Sequence, residues 1–537
     1  MDVFDRRRSL AAFWVGCLAV TGGVLSHLPM FLMGRHNHFA LAGMPMGGLM
    51  VAGMFAIIAG IVLAGYGLLP RRPGGRVVLE PISPPENARL SRQHWGVAAL
   101  LALALVIDIM KPASLGFVTP GMRAEYAIGA ATVAWLPFAA LAGTTAGSFI
   151  WGALADVYGR RAAILLSSVM FIGTSICGAM PSFWWNVAMC FLMGAAAGGM
   201  LPVAYALLAE IMPTRHRGWS LVLIGGIGAI GGFFAASGLS AVLQPTFGWR
   251  VMWLLNFPTG LVLVLMSPLL PESARFLQQM GRSEEARAML ARFGVAAPAG
   301  ADPAPDAEPT PQPAPPSDQA FGSVGSALTL AALSWSLINF GALLWLPGAL
   351  VATGHSVAAA SALIARSTLI AAPIVLVSAW LYAAWSTRGS LMVMLALTGC
   401  GLLGLGVVFQ AATLAPANVL VVVTLLVIGT SGTIAILLPY TAENFPLRVR
   451  GRATGWVAGC SKLGGLIAQA LGVLGVAPPI GITAFIIAIP TGAALILVAR
   501  HGRETRGRDL RELEPAATPP SADRAPAPNP PAHLHRA

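Results

Sequence analysis

The two lysines of this chain of 537 residues and one aspartate lie inside long apolar segments. Asp108 and Lys111 share the stretch A-L-V-I-D-I-M-K-P, and Lys462 lies in G-W-V-A-G-C-S-K-L-G-G. An ionisable group at mid-membrane depth costs about 2.5–3.5 kcal/mol on insertion scales, so it is usually functional or paired. A carboxyl group can take up and release a proton, and a nearby ammonium group can influence that exchange and bind an anion.

Two interpretations of Asp108 and Lys111 follow from their spacing of three residues, which places both side chains near one face of a helix. In the functional one, Asp108 is the proton carrier, while Lys111 tunes it and contacts an anionic substrate. In the structural one, the two residues neutralise each other and Lys462 extends towards the membrane surface.

Polar and aromatic side chains in the other apolar segments are candidates for the rest of a substrate site. An amide, an ammonium group or an aromatic hydroxyl that faces a cavity can orient a small ligand. Each of them can instead serve packing alone. The predicted substrate-binding residues are Lys111, Tyr205, Asn339, Trp345, Lys462 and Gln469.

The segments that must position these residues indicate an all-α polytopic membrane protein. Hydrophobic residues make up 56% of the chain and charged residues 10%, whereas soluble domains average about 25% charged residues. A helix needs about 20 mostly apolar residues to cross a membrane. Fourteen transmembrane helices are predicted, near 10–33, 43–69, 95–117, 131–153, 162–181, 185–209, 219–243, 251–270, 325–349, 359–384, 390–412, 418–440, 453–475 and 479–499.

The positive charge of the chain follows the connectors between these segments. A net charge of +12 would suit a nucleic-acid partner, but most arginines lie in short connectors and tails on one side of the predicted bundle. That distribution is typical of cytoplasmic loops. The sequence therefore predicts a multi-pass protein of the cell inner membrane with both termini in the cytoplasm, and neither a nucleic-acid nor an obligate protein partner.

A charged phrase occurs twice, as A-E-I-M-P-T-R-H-R-G at 209–218 and as A-E-N-F-P-L-R-V-R-G at 442–451. A membrane transporter built from two similar halves would repeat such a connector between two apolar helices. The predicted division is a two-helix hairpin with its linker (1–94), a six-helix half (95–270), a cytoplasmic loop with an amphipathic helix at 273–292 and a disordered stretch (271–324), a second six-helix half (325–500) and a disordered tail (501–537).

The connector G-A-L-A-D-V-Y-G-R-R (152–161) resembles the G-x-x-x-D-x-x-G-R-R/K signature of the major facilitator superfamily. P-E-S-A-R (271–275) and E-T-R-G (504–507) resemble strings of its sugar-porter-type branch, whereas W-S-T-R-G-S (385–390) lacks the aspartate in the second half. The resemblance implies a major-facilitator fold whose two six-helix halves rock around a central site, held by ion pairs between connectors. The latch residues that it implies are Gly152, Asp156, Gly159, Arg160, Arg161, Glu210, Arg217, Glu272, Arg275, Glu443 and Arg450.

Methionine and histidine are concentrated in the predicted N-terminal hairpin. Thioether and imidazole groups suit copper, but methionine is also an adaptable apolar filler. We predict a stabilising or regulatory hairpin and assign no metal site. The residues concerned are His27, Met30, Met33, His36, His38, Met44, Met46, Met50 and Met54.

The sequence predicts transport rather than catalysis. It contains no nucleophile–base set, phosphate loop or H-E-x-x-H motif, so neither an enzyme nor a cofactor is predicted. The interpretation is a secondary active transporter that moves a small organic metabolite, a carboxylate, by alternating access coupled to protons. Its partners would be that small molecule, protons and the lipid bilayer. The alternatives are proton-driven efflux of a small organic compound, and metal handling or sensing by the Met/His-rich hairpin.

Overall fold

The computed structural model describes residues 3–69, 89–294, 318–411, 415–445 and 447–506, which form helices and no strand. The linker at 70–88 and the segments at 295–317 and 507–537, where the sequence predicts disorder, lie outside the described residues.

The main helices are α1 (Val3–Leu25), α2 (Gly48–Leu68), α3 (Arg92–Tyr126), α4 (Trp135–Tyr158), α5 (Arg160–Thr174), α6 (Phe183–Ala197 with Met200–Ile211), α7 (Thr214–Phe247), α8 (Asn256–Leu265), α9 (Asp318–Leu337 with Leu343–Ala352), α10 (Val357–Ala371 with Ile374–Trp380), α11 (Thr387–Gln410), α12 (Pro416–Asn444), α13 (Leu447–Val473) and α14 (Ile480–His501).

Twelve spans in the described residues are long and apolar enough to cross a membrane, one for each of these helices except α8 and α13. Together with the turn before it, α8 forms a shorter apolar stretch, Val251–Leu265. Helix α13 begins with the arginine-rich run L-R-V-R-G-R. The all-α membrane architecture is confirmed, and the total of fourteen transmembrane helices stays a prediction.

The bundle has two halves. Helices α3–α8, the first half, supply nearly all of one buried apolar cluster, and helices α9–α14, the second half, supply most of two others, to which α3, α4 and α7 also contribute. The connectors after α4, α6 and α12 lie at one end, which we call the connector end, and the other end is the far end. Between the halves, α7 packs against α10 and α12, and α4 packs against α13.

Close contacts join the two halves towards the far end. The hydroxyl groups of Ser240 and Ser361 form a 2.8 Å hydrogen bond between α7 and α10. Gly116 of α3 packs against the Leu344 carbonyl of α9, where an added Cβ would lie only 2.5 Å from the oxygen. A larger residue at position 116 would therefore push the halves apart.

The N-terminal hairpin of α1 and α2 packs against the first half. Glycines at the crossing, Gly16 and Gly23 on α1 and Gly60 on α2, leave no room for a Cβ against the opposite backbone, which is how small residues let membrane helices approach closely. Apolar residues of the hairpin share a buried cluster with side chains of α5 and α8. The hairpin thus adds a layer to one face of the first half.

The loop after α8 contains two short helices where the sequence predicts one amphipathic helix at 273–292. They are Ala274–Gln279 and Ser283–Arg292. Gly281, with φ +70°, breaks the run, because that left-handed conformation ends an α-helix and glycine adopts it without strain. Phe293, just after the second helix, packs edge-on against His94 at the start of α3, with 5.0 Å between ring centroids.

Candidate functional site

A cavity of about 220 Å³ lies between the halves and is lined by residues of both. Helices α3, α4, α6 and α7 contribute from the first half, and α9, α12 and α13 contribute from the second. Most of the lining side chains are apolar. In the described part of the chain, Asp108 and Lys462 are the only Asp, Glu, Lys or Arg residues of the lining. The cavity therefore offers one acidic and one basic group within an apolar wall.

Asp108 and Lys462 come from different halves and share this cavity. Asp108 is buried, and its Oδ1 atom has no hydrogen-bond partner among the described residues. No ion pair joins Asp108 to Lys462 or to Lys111 in the described residues. The Lys462 Nζ atom lies 5.9 Å from the centroid of the Phe340 ring. Both charged groups are thus available to a molecule in the cavity.

Lys111 does not line the cavity, although the sequence places it near the same helix face as Asp108. The Lys111 Nζ atom lies 2.7 Å from the centroid of the Phe171 ring on α5, and it has no hydrogen-bond partner among the described residues. The cavity-facing stripe of α3 consists of residues 108, 109, 112 and 113. At about 100° per residue, position 111 is rotated by roughly 130° from the centre of that stripe. The spacing of three residues therefore did not predict that Asp108 faces the cavity while Lys111 points away from it.

Two other predicted substrate residues, Tyr205 and Asn339, do line the cavity. The Tyr205 hydroxyl lies against Gly225 of α7, so closely that an added Cβ would collide with it. Asn339 lies in a π-helical turn, Ile338–Ala342, that interrupts α9. Such turns occur frequently at functional sites, and no feature of the sequence predicted this one.

Trp345 and Gln469, the remaining predicted substrate residues, lie together outside the cavity lining. The Trp345 Nε1 atom donates a 3.3 Å hydrogen bond to Gln469 Oε1. The Gln469 amide also donates to the Phe340 carbonyl. One turn further along α13, an added Cβ at Gly472 would lie 3.1 Å from the Ala134 Cβ in the first half. The pair is therefore next to the junction of the halves, on the far-end side.

Hydroxyl groups in the lining were not identified from the sequence. Thr430 and Ser431 line the cavity from α12, and Thr144, Thr145 and Ser148 line it from α4. The Trp335 Nε1 atom also donates to the Thr430 carbonyl at 3.0 Å. The G-T-S-G-T run at 429–433, unusual within an apolar segment, was the available signal.

At the connector end of the first half, Glu272 caps α5. Its Oε1 atom accepts hydrogen bonds from the backbone nitrogens of Arg160 at 2.8 Å, Ser273 at 3.0 Å and Arg161 at 3.3 Å. Gly159, with φ +101°, lies where an added Cβ would be 2.5 Å from the carboxylate. Burial raises the pKa of Glu272, while these backbone hydrogen bonds and the Arg161 charge act against that rise. A carboxylate at this helix N-terminus is electrostatically favourable.

An ion pair joins two of the predicted latch residues in the same region. The Arg160 Nη2 atom lies 3.5 Å from Glu210 Oε1, and both side chains are partly exposed. Arg160 is the first residue of α5 and Glu210 is near the end of α6, so the contact lies within the first half. The backbones of Gly152, Asp156, Arg217 and Arg275 lie in α4, α7 and the loop helix. The side chains of Asp156, Arg275 and Arg450 are outside the described part of the structure.

Glu504 occupies the matching place in the second half, where the sequence lacks the motif aspartate. It accepts hydrogen bonds from the Thr387 backbone nitrogen at 2.9 Å, the Thr387 hydroxyl at 2.7 Å and the Ser386 hydroxyl. Burial tends to raise its pKa, but these bonds together with that from the Arg506 backbone lower the pKa of Glu504 to about 2. Glu504 therefore caps α11 as Glu272 caps α5.

Glu443, a predicted latch residue, has hydroxyl partners that the sequence did not reveal. Its Oε2 atom accepts hydrogen bonds from the Tyr382 hydroxyl at 2.6 Å and the Thr505 hydroxyl at 2.7 Å. An added Cβ on Gly218 of the first half would lie 3.0 Å from Glu443 Oε1. Glu443 is thus next to the boundary between the halves at the connector end.

Two helical halves around a central cavity, with charged connectors at one end, define the architecture of a secondary transporter. The chain belongs to the major facilitator superfamily, whose family model matches residues 100–469. The match excludes α1 and α2, so the hairpin is an addition to the region that the family shares. The predicted family is confirmed.

Several similar proteins are named as transporters. The niacin transporter NiaP of Acinetobacter baylyi is 24% identical over 445 residues, which cover 81% of this chain and 100% of that protein. The 4-hydroxybenzoate transporter PcaK of the same organism is 31% identical over 219 residues, which cover 38% of this chain and 46% of PcaK. The inward-open, partially occluded structure of the Escherichia coli xylose transporter XylE has a TM-score of 0.62 at 16% identity, covering 78% of this chain and all of that one. The chain is thus a transporter-family membrane protein and not an enzyme.

Proposed function

We propose that this protein is a proton-coupled symporter that imports a small aromatic carboxylate across the bacterial inner membrane. The observation that carries the proposal is the placement of Asp108 and Lys462, from opposite halves, in one largely apolar cavity. Alternating access of that cavity to the two sides would follow from rocking of the halves. In this proposal the connector end faces the cytoplasm, because short arginine-rich connectors are typical of that side.

Coupling follows from the balance of charge in the cavity. With the cavity empty, the Asp108 carboxylate and the Lys462 ammonium offset each other. A substrate carboxylate that binds Lys462 brings a second negative charge, and like charges in a low-dielectric site repel strongly. Protonation of Asp108 removes that repulsion. Substrate and proton would therefore bind together, and the loaded and empty cavities would carry the same net charge when the halves move.

The aromatic part of the substrate is supported by the cavity wall and by the relatives. Trp335, Phe340 and Tyr205 all line the cavity, and aromatic rings pack well against one another at such sites. Niacin and 4-hydroxybenzoate, the substrates named for two relatives, are both aromatic rings with one carboxylate. A single basic residue in the lining suits a single carboxylate.

Uptake by proteoliposomes tests both parts of the proposal. The purified protein is reconstituted with a pH-sensitive dye inside the vesicles, and niacin or 4-hydroxybenzoate is added outside at slightly acidic pH. We expect accumulation of substrate with acidification of the lumen. Nicotinamide, which has the same ring and a neutral amide, is the matched control and should not be accumulated. Transport of nicotinamide equal to that of niacin would contradict the role of the carboxylate.

The variant Asp108→Asn tests the proton carrier in the same vesicles. A permanently neutral side chain resembles protonated Asp108 and cannot release a proton. We therefore expect exchange of substrate down its gradient to continue while uphill accumulation is lost. Normal accumulation by this variant would exclude Asp108 as the carrier. Export of substrate from the vesicles that is driven by protons flowing inward would support efflux instead of import.

A further inference from the structure

A third of the chain's methionines meet at one place between the hairpin and the first half. The place is the buried cluster that joins α1 and α2 to α5 and α8. The sequence already concentrates methionine in the hairpin, and the fold adds two more from the first half. The seven are Met30, Met50 and Met180 in the buried cluster, with Met44, Met46, Met54 and Met189 packed against it, out of 21 in the chain.

His27 lies beside this cluster with one ring nitrogen free. The side chain is 1% exposed. Its Nδ1 atom lies 2.8 Å from the Gly23 carbonyl oxygen, which fixes the ring, while its Nε2 atom has no hydrogen-bond partner among the described residues. Buried polar atoms are nearly always satisfied, so an unpaired one calls for an explanation. The hydrogen bond at Nδ1 leaves Nε2 as the nitrogen with a lone pair, which is the form that binds a metal.

The His27 ring lies against α2 at a glycine that has methionines nearby in the helix. The ring carbon Cε1, which is bonded to Nε2, would lie 3.0 Å from a Cβ added at Gly53 of α2. On α2, Met50 precedes Gly53 by three residues, so these two positions are neighbours on the helix surface, and Met54 lies one turn beyond Met50. Met30 lies one helical turn beyond His27 and is buried. The imidazole of His27 and the thioethers of Met30, Met50 and Met54 therefore belong to one region of the hairpin.

We propose that His27, Met30, Met50 and Met54 form a binding site for copper(I). Thioethers and a neutral imidazole are soft, uncharged ligands, which favour a monovalent soft ion over zinc, magnesium or calcium. No group of three or more His, Cys, Asp or Glu residues in the described ranges can hold a metal, so the thioethers are what complete this site. Exposed Met33 and His36, one to two turns further on, provide a route for the ion from the far end.

This site is separate from the transport cavity, and its ligands do not line that cavity. The proposal is therefore independent of the proposed transport function. Bound copper would tie the turn after α1 to the start of α2, because His27 and Met30 lie on one side and Met50 and Met54 on the other. Occupancy would then stabilise the hairpin without contributing to the substrate path.

Copper(I) binding by the purified full-length protein in detergent tests the site. Under anaerobic reducing conditions, the protein competes with a chromogenic copper(I) chelator. We expect one ion per chain with affinity that falls at least tenfold in Met50→Leu, Met30→Leu and His27→Ala. Met122→Leu, at a buried methionine of α3 outside the cluster, is the matched control and should bind as wild type does. Cys17→Ala should also bind normally, which excludes a thiolate ligand.

Leucine and methionine have similar volumes, so the leucine variants should keep their apo melting temperature to within a few degrees. Loss of copper affinity without loss of apo stability then identifies ligands. The proposal is overturned if wild type takes up no copper(I), or if Met50→Leu, Met30→Leu and His27→Ala all bind as tightly as Met122→Leu. X-ray absorption of the loaded protein should show sulfur and nitrogen ligation, and a purely thiolate spectrum would also overturn it.

Discussion

Glu125 and Arg250 form an ion pair at the far end of the first half, with 2.6 Å between Glu125 Oε1 and Arg250 Nη2. The Arg250 side chain is fully buried. The same carboxylate accepts hydrogen bonds from the Trp249 indole at 2.7 Å and from the backbone nitrogens of Leu41 and Ala42 at 2.8 and 3.0 Å. One carboxylate thus joins the end of α3, the start of α8 and the turn of the N-terminal hairpin.

The first prediction concerns this carboxylate. Glu125→Gln leaves the Arg250 charge buried without its partner, which typically costs about 3–5 kcal/mol. We expect a lower melting temperature and release of the hairpin turn. A cysteine introduced at buried Leu41 reports the release, because it should react with a maleimide much faster in the Glu125→Gln background.

Glu284→Gln, which removes an exposed partner of Arg287, is the control and should change stability by less than about 1 kcal/mol. Equal labelling rates in both backgrounds would show that Glu125 does not hold the turn.

The second prediction separates the two lysines. Lys462 lines the cavity and Lys111 does not, so Lys462→Met should weaken binding of a carboxylate substrate by about 10- to 100-fold, the usual worth of a charged hydrogen bond. Lys111→Met should leave the binding constant near that of wild type. It should also raise the melting temperature, because it replaces a buried ammonium, for which the described residues offer no hydrogen-bond partner, by an apolar chain of similar length. Titration calorimetry and thermal denaturation measure both effects. Equal loss of binding in the two variants would favour the substrate contact that the sequence predicts for Lys111.

The third prediction uses two glycines of one motif. Gly159 has φ +101° and faces Glu272, whereas no atom of the described residues lies within 4 Å of a Cβ added at Gly152. Gly159→Ala should therefore cost about 1–3 kcal/mol in strain and displace Glu272 from the N-terminus of α5. We expect a slower transport rate with little change in substrate affinity, since the motif is outside the cavity. Gly152→Ala should be tolerated in both measurements. A rate defect in Gly152→Ala as large as that in Gly159→Ala would point to a helix contact made in another conformation.

The sequence predicted the helical architecture and the family because both depend on local patterns. Apolar length, arginine-rich connectors and the repeated phrase each reflect a few neighbouring residues. Which charged residue shares the cavity with Asp108 depends on helix packing instead. Lys462 is more than 350 positions away along the chain, and only the meeting of α3 with α13 around one cavity brings it close.

The capping glutamates illustrate the same limit. W-S-T-R-G-S lacks the motif aspartate, but nothing in that string shows that Glu504, from beyond α14, accepts hydrogen bonds there as Glu272 does in the first half. The hydroxyl partners of Glu443 are likewise distant in sequence, at Tyr382 and Thr505. Such contacts join residues more than 60 positions apart, so no local pattern predicts them.

The last prediction concerns the pH dependence of stability at Glu504. Hydrogen bonds from Ser386, Thr387 and Arg506 outweigh burial and lower its pKa from 4.5 to about 2. A carboxyl group whose pKa is lower in the folded state stabilises that state fully above its unfolded pKa, and the contribution is lost as the pH falls through the folded value. The stabilisation should therefore be complete above about pH 4.5 and should decline towards pH 2.

Glu504→Gln lacks this ionisation, so it should melt at a lower temperature than wild type at pH 7, and the difference should shrink as the pH is lowered below 4.5. Glu284→Gln, at a side chain that is 88% exposed, should melt as wild type does at every pH. Melting curves in detergent between pH 7 and pH 3 test this, and a constant difference between Glu504→Gln and wild type across that range would mean that the charge of Glu504 does not stabilise the cap of α11.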